Sequence, residues 1–397
     1  MYCVKKVTED LTWVGANDRR LSMFEGVYSV PNGVSYNSYL LLDEKTVLFD
    51  TVDKSVSEQF MENVEHVLSG RRLDYVVIQH MEPDHSATLA ELLRRCPETT
   101  VVCNKMIADM IKQFFNLDIT PRALIVKEGD TLSTGRHNLT FIAAPMVHWP
   151  EVMVTYDTVD KILFSADAFG TFGALNGAIF ADEVDFDRDY MDEARRYYTN
   201  IVGKYGVQVQ GLLKKAAALD IQTVCPLHGP QLSGDALTRA LALYSLWAAW
   251  KPEESGVLVA YAGFHGHTAE AAKLLAEKLH ALGETVEVVD LNRVHKSYAV
   301  ASAFKFDRMA LCAATYDGAY APAMEAFLSA LKLKGLQGRT VALVENGTWA
   351  PMAAKQMCAA LETMKNMQAL DQQVTIRSAM NAKNREEIEE LAKKLVM

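Results

Sequence analysis

Four short apolar runs in this chain each lead into a residue that can bind a metal. Asp74-Tyr75-Val76-Val77-Ile78-Gln79 leads into His80-Met81-Glu82-Pro83-Asp84-His85. Asn138-Leu139-Thr140-Phe141-Ile142-Ala143 precedes His148, Lys161-Ile162-Leu163-Phe164-Ser165 precedes Asp167, and Ile221-Gln222-Thr223-Val224-Cys225 precedes His228. Runs of this length and composition read as buried strands. A strand end holds short side chains on a rigid edge, where metal geometry can be kept closely. Strand-borne candidates scattered over this much sequence can converge on one edge of a sheet sandwich.

His80, Glu82, Asp84, His85, His148, Asp167 and His228 make a set too large for one mononuclear site, so two metals are implied. Asp167 stands outside the local cluster and supplies two oxygens, which makes it the natural bridge. Carboxylates are rarely buried unless they are paired or coordinating. His66, His137, His280 and His295, taken singly, read as ordinary core or surface residues. The set mixes imidazole with carboxylate and has no thiolate, which suits iron, manganese or zinc and tilts toward iron or manganese. Zinc hydrolases with this layout favour a second histidine where Glu82 stands. A harder anionic oxygen there favours a redox metal such as iron, and hence an oxidoreductase over a dinuclear hydrolase.

The 397 residues are half hydrophobic and 23% charged, enough apolar material for two or three domains. The net charge of −10 argues against nucleic-acid binding, which rests on Lys and Arg neutralising phosphates. Six cysteines with no C-x-x-C pair imply no disulfide framework. The N-terminus lacks the apolar core of a signal peptide, and no run reaches the length of a membrane span. A cytoplasmic protein is the expectation. A hairpin is expected from Asn37–Leu42 and Thr46–Asp50, helices over Val56–Leu68 and Ala87–Arg95, and a long helix over Ala236–Trp250. Trp250-Lys251-Pro252-Glu253-Glu254-Ser255 reads as a linker, dividing the chain into residues 1–250 and 254–397.

Beyond the linker the pattern becomes regular βα alternation, with strands at Gly256–Tyr261, Thr285–Asp290, Met309–Ala314 and Thr340–Val344. Near-continuous apolar strands with crossover helices mean a parallel, doubly wound sheet. Ligands in such sheets bind beyond the carboxyl ends of the strands. Three loops lie there. Gly263-Phe264-His265-Gly266-His267-Thr268 offers backbone N–H groups and a hydroxyl at a helix start, a phosphate cradle. Thr315-Tyr316-Asp317-Gly318 follows the third strand, and Asn346-Gly347-Thr348-Trp349-Ala350 the fourth. Phe264, Tyr316 and Trp349 suit the flanks of a flat heterocycle. Glycine, hydroxyl and aromatic residues here differ from the acidic cluster of a response-regulator-like domain.

Taken whole, the chain resembles the flavodiiron proteins: a metallo-β-lactamase-like αββα sandwich followed by a flavodoxin-like domain. The family motif H-x-E-x-D-H with a distant His, Asp and His is carried without substitution. His148-Trp149-Pro150 and Ala194-Arg195-Arg196-Tyr197-Tyr198 also resemble family segments. The resemblance implies one iron held by His80, Glu82 and His148, another by Asp84, His85 and His228, and Asp167 between them. It implies FMN in the second domain, reduction of O₂ to water, of NO to N₂O, or both, and Tyr197 as a hydrogen-bond donor to substrate. It further implies a head-to-tail homodimer or dimer of dimers, and an external electron donor such as rubredoxin. Two departures stand out. Gly263 and His267 occupy positions where the first FMN loop usually offers hydroxyls, and the segment around Phe24 lacks a histidine that some members place near the irons.

Overall fold

The structure, a computed structural model, describes residues 2–397. Its contacts divide the chain into two units. One comprises residues up to Tyr198 with Val207–Tyr244, the other Thr199–Gly206 with Ser245–Met397. The helix expected over Ala236–Trp250 runs over Gly234–Ala248, so its last residues group with the second unit.

The first unit holds a seven-stranded and a six-stranded sheet. In the larger, the hairpin Tyr39–Leu42 and Thr46–Phe49 is antiparallel, and Thr46–Phe49, Tyr75–Val77, Thr100–Cys103 and Ala123–Ile125 follow in parallel. The smaller sheet runs Thr131–Ser133, Asn138–Ala143, Met153–Asp157, Ile162–Phe164, Thr223–Cys225 and Leu232–Ser233. Phe49 of one sheet stacks on Phe164 of the other with ring centroids 3.7 Å apart, which locates the dry interior of the sandwich. Helix Ser57–Leu68 forms as expected. The single helix expected over Ala87–Arg95 is instead a one-turn helix, Pro83–Ser86, followed by Leu89–Arg95. Pro83 starts the short turn because its fixed φ and missing N–H suit a first helical position. Asp84 and His85 therefore project from a helical turn rather than an open loop.

The second unit has one parallel sheet in the order Val286–Asp290, Glu254–Ala262, Phe306–Tyr316, Thr340–Asn346, Gln368–Ile376. Numbered along the chain this is 2-1-3-4-5, the flavodoxin-like order. Separate apolar layers cover its two faces, one including Leu258, Leu311 and Phe327, the other Val259, Leu275 and Ile388. The strand Gln368–Ile376 and the helix Lys296–Lys305 carry weak signals in sequence. The first is a polar edge strand, and the second is rich in small residues. After the fourth strand the next helix, Ala353–Glu362, begins beyond Pro351.

Candidate dinuclear metal centre and cofactor loops

The seven candidate ligands come together in the first unit as two adjoining groups. His80, Glu82, His148 and Asp167 form one, and Asp84, His85 and His228 the other, each with ligand atoms within 4.8 Å of one another. Asp167 belongs to both sides. Its Oδ2 lies 3.3 Å from His80 Nε2 and 3.1 Å from His148 Nε2, while its Oδ1 lies 3.2 Å from His85 Nε2 and 3.7 Å from His228 Nε2. Glu82 Oε2 approaches His80 at 3.2 Å and His148 at 3.0 Å. Asp84 Oδ2 lies 3.2 Å from both His85 and His228, whose Nε2 atoms are 3.0 Å apart.

These contacts fit metal ions better than hydrogen bonds. His80 Nδ1 lies 2.8 Å from the Glu151 carboxylate and His228 Nδ1 lies 2.7 Å from the Ser35 carbonyl. With those nitrogens engaged, both Nε2 atoms face carboxylate oxygens or another imidazole, the arrangement that a metal cation between them would satisfy. Metal–nitrogen bonds of about 2.1 Å at right angles place neighbouring ligand atoms about 3.0 Å apart, the spacing seen. Asp84 Oδ1 and Oδ2, Asp167 Oδ1 and His85 Nδ1 are buried without hydrogen-bond partners. Burial opposes ionisation of Asp84 and Asp167, yet the surrounding imidazoles hold both carboxyls below the usual range.

Several residues around the ligands have no motif in sequence. Glu151 is buried, fixes the His80 ring, and accepts the Met81 N–H at 2.9 Å. Glu25 sits on a tight turn at φ 52, exposed as a residue but with its carboxyl against Glu82. Withdrawal of that carboxyl from water and its contact with Glu82 push it up to about 8. Phe24 packs edge-on against His228 at 5.3 Å. Tyr197 is fully buried, with its ring 5.4 Å from His228 and 5.1 Å from Phe172. Its hydroxyl has no partner. Burial and then the charges of Asp167, Asp84 and Glu82 raise its ionisation well above the usual phenol range, so it keeps its proton.

At the carboxyl end of the second unit's sheet, the loop Gly263–Thr268 opens the helix His267–Ala281. Gly266 caps it at φ 92, and no side chain caps the first turn. Phe264 and Tyr316, both about half exposed, lie 5.3 Å apart, and Trp349 is 87% exposed. Three exposed aromatic rings at one sheet edge fit a planar ligand such as a flavin. Other expected contacts are engaged within the chain. The Thr315 hydroxyl accepts the Met352 and Ala353 N–H groups. Asn346 exchanges hydrogen bonds with the Ser378 backbone, and the Thr348 hydroxyl meets the Ser378 hydroxyl at 2.9 Å. Asp317 and Gly318, both with positive φ, form a tight turn joining Tyr316 to Ala319. Gly347 passes so close to Pro351 that an added Cβ would lie 2.8 Å from its Cα. Ser378 and Arg377 join this rim, although the strand that delivers them was not read from sequence.

A two-sheet sandwich with a paired-metal cluster, joined in one chain to a flavodoxin-like sheet, defines a class of two-domain redox flavoprotein. The chain matches the ODP family beta lactamase over residues 34–229 and the Flavodoxin domain over residues 258–392. It is 33% identical to the anaerobic nitric oxide reductase flavorubredoxin of Aliivibrio fischeri over 342 residues, 84% of this chain and 67% of that one. It is 33% identical to the nitric oxide reductase of Moorella thermoacetica, over 72% of this chain and 71% of that one. Its fold superposes on the rubredoxin oxygen:oxidoreductase of Desulfovibrio gigas with a TM-score of 0.91 at 26% identity, covering 99% and 98% of the two chains. The chain belongs to the flavodiiron protein family. It spans about two thirds of the length of the flavorubredoxins it matches.

Proposed function

We propose that this protein reduces small diatomic oxidants, NO to N₂O and O₂ to water, using two irons and FMN. The observation that supports this reading is the convergence of seven candidate ligand side chains in two adjoining groups, with Asp167 facing both. When bound, the irons and the flavin supply stored electrons and two adjacent positions for substrate. His80, Glu82 and His148 would hold one iron, Asp84, His85 and His228 the other, and Asp167 both.

The remaining work falls to the chain itself. Glu151 and the Ser35 carbonyl keep the His80 and His228 rings in the tautomer that presents Nε2. Phe24, Phe172 and Tyr197 form a largely apolar wall beside His228, suited to small uncharged gases and hostile to water. Tyr197, the proposed catalytic residue, presents a protonated hydroxyl with nothing else to bond, ready to donate to a substrate oxygen. Reducing two NO to N₂O and water consumes two electrons and two protons, and reducing O₂ to two waters consumes four of each. Rubredoxin as the donor rests on the names of the relatives.

The test is anaerobic reduction followed by separate exposure to NO and to O₂, together with metal analysis. Two irons, a flavin spectrum and multiple turnovers are expected. A protein as isolated that holds two zincs, lacks flavin and hydrolyses esters or amides would sink the proposal in favour of a dinuclear hydrolase. Tyr197→Phe should lower kcat about tenfold to a hundredfold with little change in KM. An unchanged kcat would remove the donor role.

A further inference from the structure

His228 reaches the cluster from a loop, after the strand Thr223–Cys225 and before Leu232–Ser233. A loop keeps a ligand in place only if its own backbone is held. Here much of the hold comes from one distant side chain. Asn37 is fully buried and follows the short strand Val34–Tyr36. Its Nδ2 donates to the Pro226 carbonyl at 2.9 Å and to the Gly229 carbonyl at 2.7 Å, and its backbone N–H donates to the Leu227 carbonyl at 2.8 Å. Carbonyls on both sides of His228 thus converge on one residue. Asn37 Oδ1 accepts the Trp13 Nε1–H at 2.9 Å. An indole only donates and a carbonyl only accepts, so these partners allow a single orientation of the amide. Gly15 presses on Asn37 from behind: an added Cβ there would lie 2.9 Å from Asn37 Cα and 2.2 Å from the Tyr36 carbonyl oxygen.

We infer that Asn37 is a positioning residue for the His228 side of the metal centre, acting through the backbone of the His228 loop. The inference rests on the two-iron reading and deepens it. The Ser35 carbonyl sets the rotation of the His228 ring, but the loop sets where that ring starts. His228 Nε2 must meet Asp84 Oδ2 at 3.2 Å and His85 Nε2 at 3.0 Å, and a ligand misplaced by about 0.5 Å binds metal poorly. Two further supports hold the same loop. The Tyr39 hydroxyl donates to the Pro226 carbonyl at 2.9 Å, and the Gly229 N–H donates to Ser35 Oγ at 2.7 Å. With these in place, loss of the Asn37 amide should loosen the loop without dismantling it. None of the Asn37 hydrogen bonds given above involves His80, Glu82 or His148, so the effect should fall on one iron of the two.

The experiment is anaerobic competition between the ferrous full-length protein and a ferrous chelator, counting the iron retained per chain. Asn37→Ala should weaken the hold on one iron about tenfold to a hundredfold and leave the other unchanged. Asn37→Asp keeps the acceptor for Trp13 but turns an oxygen toward two carbonyls, and should lose that iron at least as readily. Trp13→Phe removes only the donor that orients the amide, and should show the same selectivity to a smaller extent. If neither Asn37 variant folds, Trp13→Phe decides, and parental iron retention there overturns the inference. In a His228→Ala background, Asn37→Ala should have no further effect on the iron that remains. Equal weakening of both irons, parental retention of both in the Asn37 variants, or a further loss in the His228→Ala background would overturn the inference and leave the two-iron reading standing. Failure of the unaltered protein to hold two irons would bring down that reading and this inference with it.

Discussion

Asp167 faces four imidazoles through its two oxygens, so it is the residue whose loss should be felt on both sides of the centre. Asp167→Ala should lose at least one iron on metal analysis while FMN remains bound, and retention of both irons would contradict its bridging role. A second buried cluster behaves differently. His137 Nδ1 lies 2.7 Å from Asp157 and Nε2 3.2 Å from Asp10, and Arg136 bonds both Asp10 and Asp160. Both ring nitrogens are occupied by protein and an arginine fills the remainder, so this is an ion-pair network and not a metal site. The Asp157 hydrogen bond foremost, working against burial, pushes His137 up to about 8. A folded value above the unfolded one of about 6.5 gives stability that is complete below pH 6.5 and is lost as pH rises through 8. Urea unfolding should show the unaltered protein about 1–2 kcal/mol more stable than His137→Gln at pH 6, with the gap closing by pH 9. The seven candidate ligands were legible because each follows an apolar run. Glu151 was not, because an isolated glutamate reads as surface, and the Ser35 carbonyl has no side-chain signature at all. Glu25 was missed because a turn residue reveals its neighbours only in three dimensions.

At the level of elements, the two segments carrying Asp167 and His228 are locked together by close backbone approach. Ala166 and Phe169, at φ 50 and 68, bracket Asp167 in a conformation that costs about 1–2 kcal/mol for a residue with a Cβ. Gly170 runs so near the Tyr197 ring that an added Cβ would lie 2.8 Å from Cε1. Gly229, directly after His228, sits at φ 80, and a Cβ there would fall 1.9 Å from Thr171 Cγ2. Gly229→Ala should therefore cost about 2–4 kcal/mol in unfolding experiments and lower iron content, with partial recovery on adding Thr171→Ser. A variant as stable as the parent would show that the loops are not coupled in this way. The sequence reading found the strands entering these segments, since apolar periodicity marks strands. It missed the helical turn Pro83–Ser86 and the edge strand Gln368–Ile376, where one proline and a run of polar residues compete with any periodic signal.

For the whole molecule, the head-to-tail dimer that the family resemblance implies makes a definite forecast about which flavin serves which pair of irons. Asp167→Ala chains keep the flavin site, and Gly266→Asp chains, with an anion placed at the phosphate end, keep the metal ligands. If electrons cross between chains, mixing the two inactive variants under conditions of subunit exchange should restore activity. Absence of any recovery despite proven exchange would sink the dimer proposal. Among the described residues no helix is long and apolar enough to cross a membrane. The second half announced itself through its βα rhythm, and its strand order follows the doubly wound expectation. The contact-defined units draw Thr199–Gly206 into the second unit, which no linear division of the chain expresses.

The inward-turned imidazoles and carboxylates at 3.0–3.3 Å spacing carry one more consequence. Emptied of iron, such a cage can persist only by taking up hydrogen ions to quiet its crowded lone pairs. Loading the protein is then an exchange, ferrous ions in and acid out. The acidity of the surroundings thereby sets how readily a newly made chain matures, before any gas molecule reaches it.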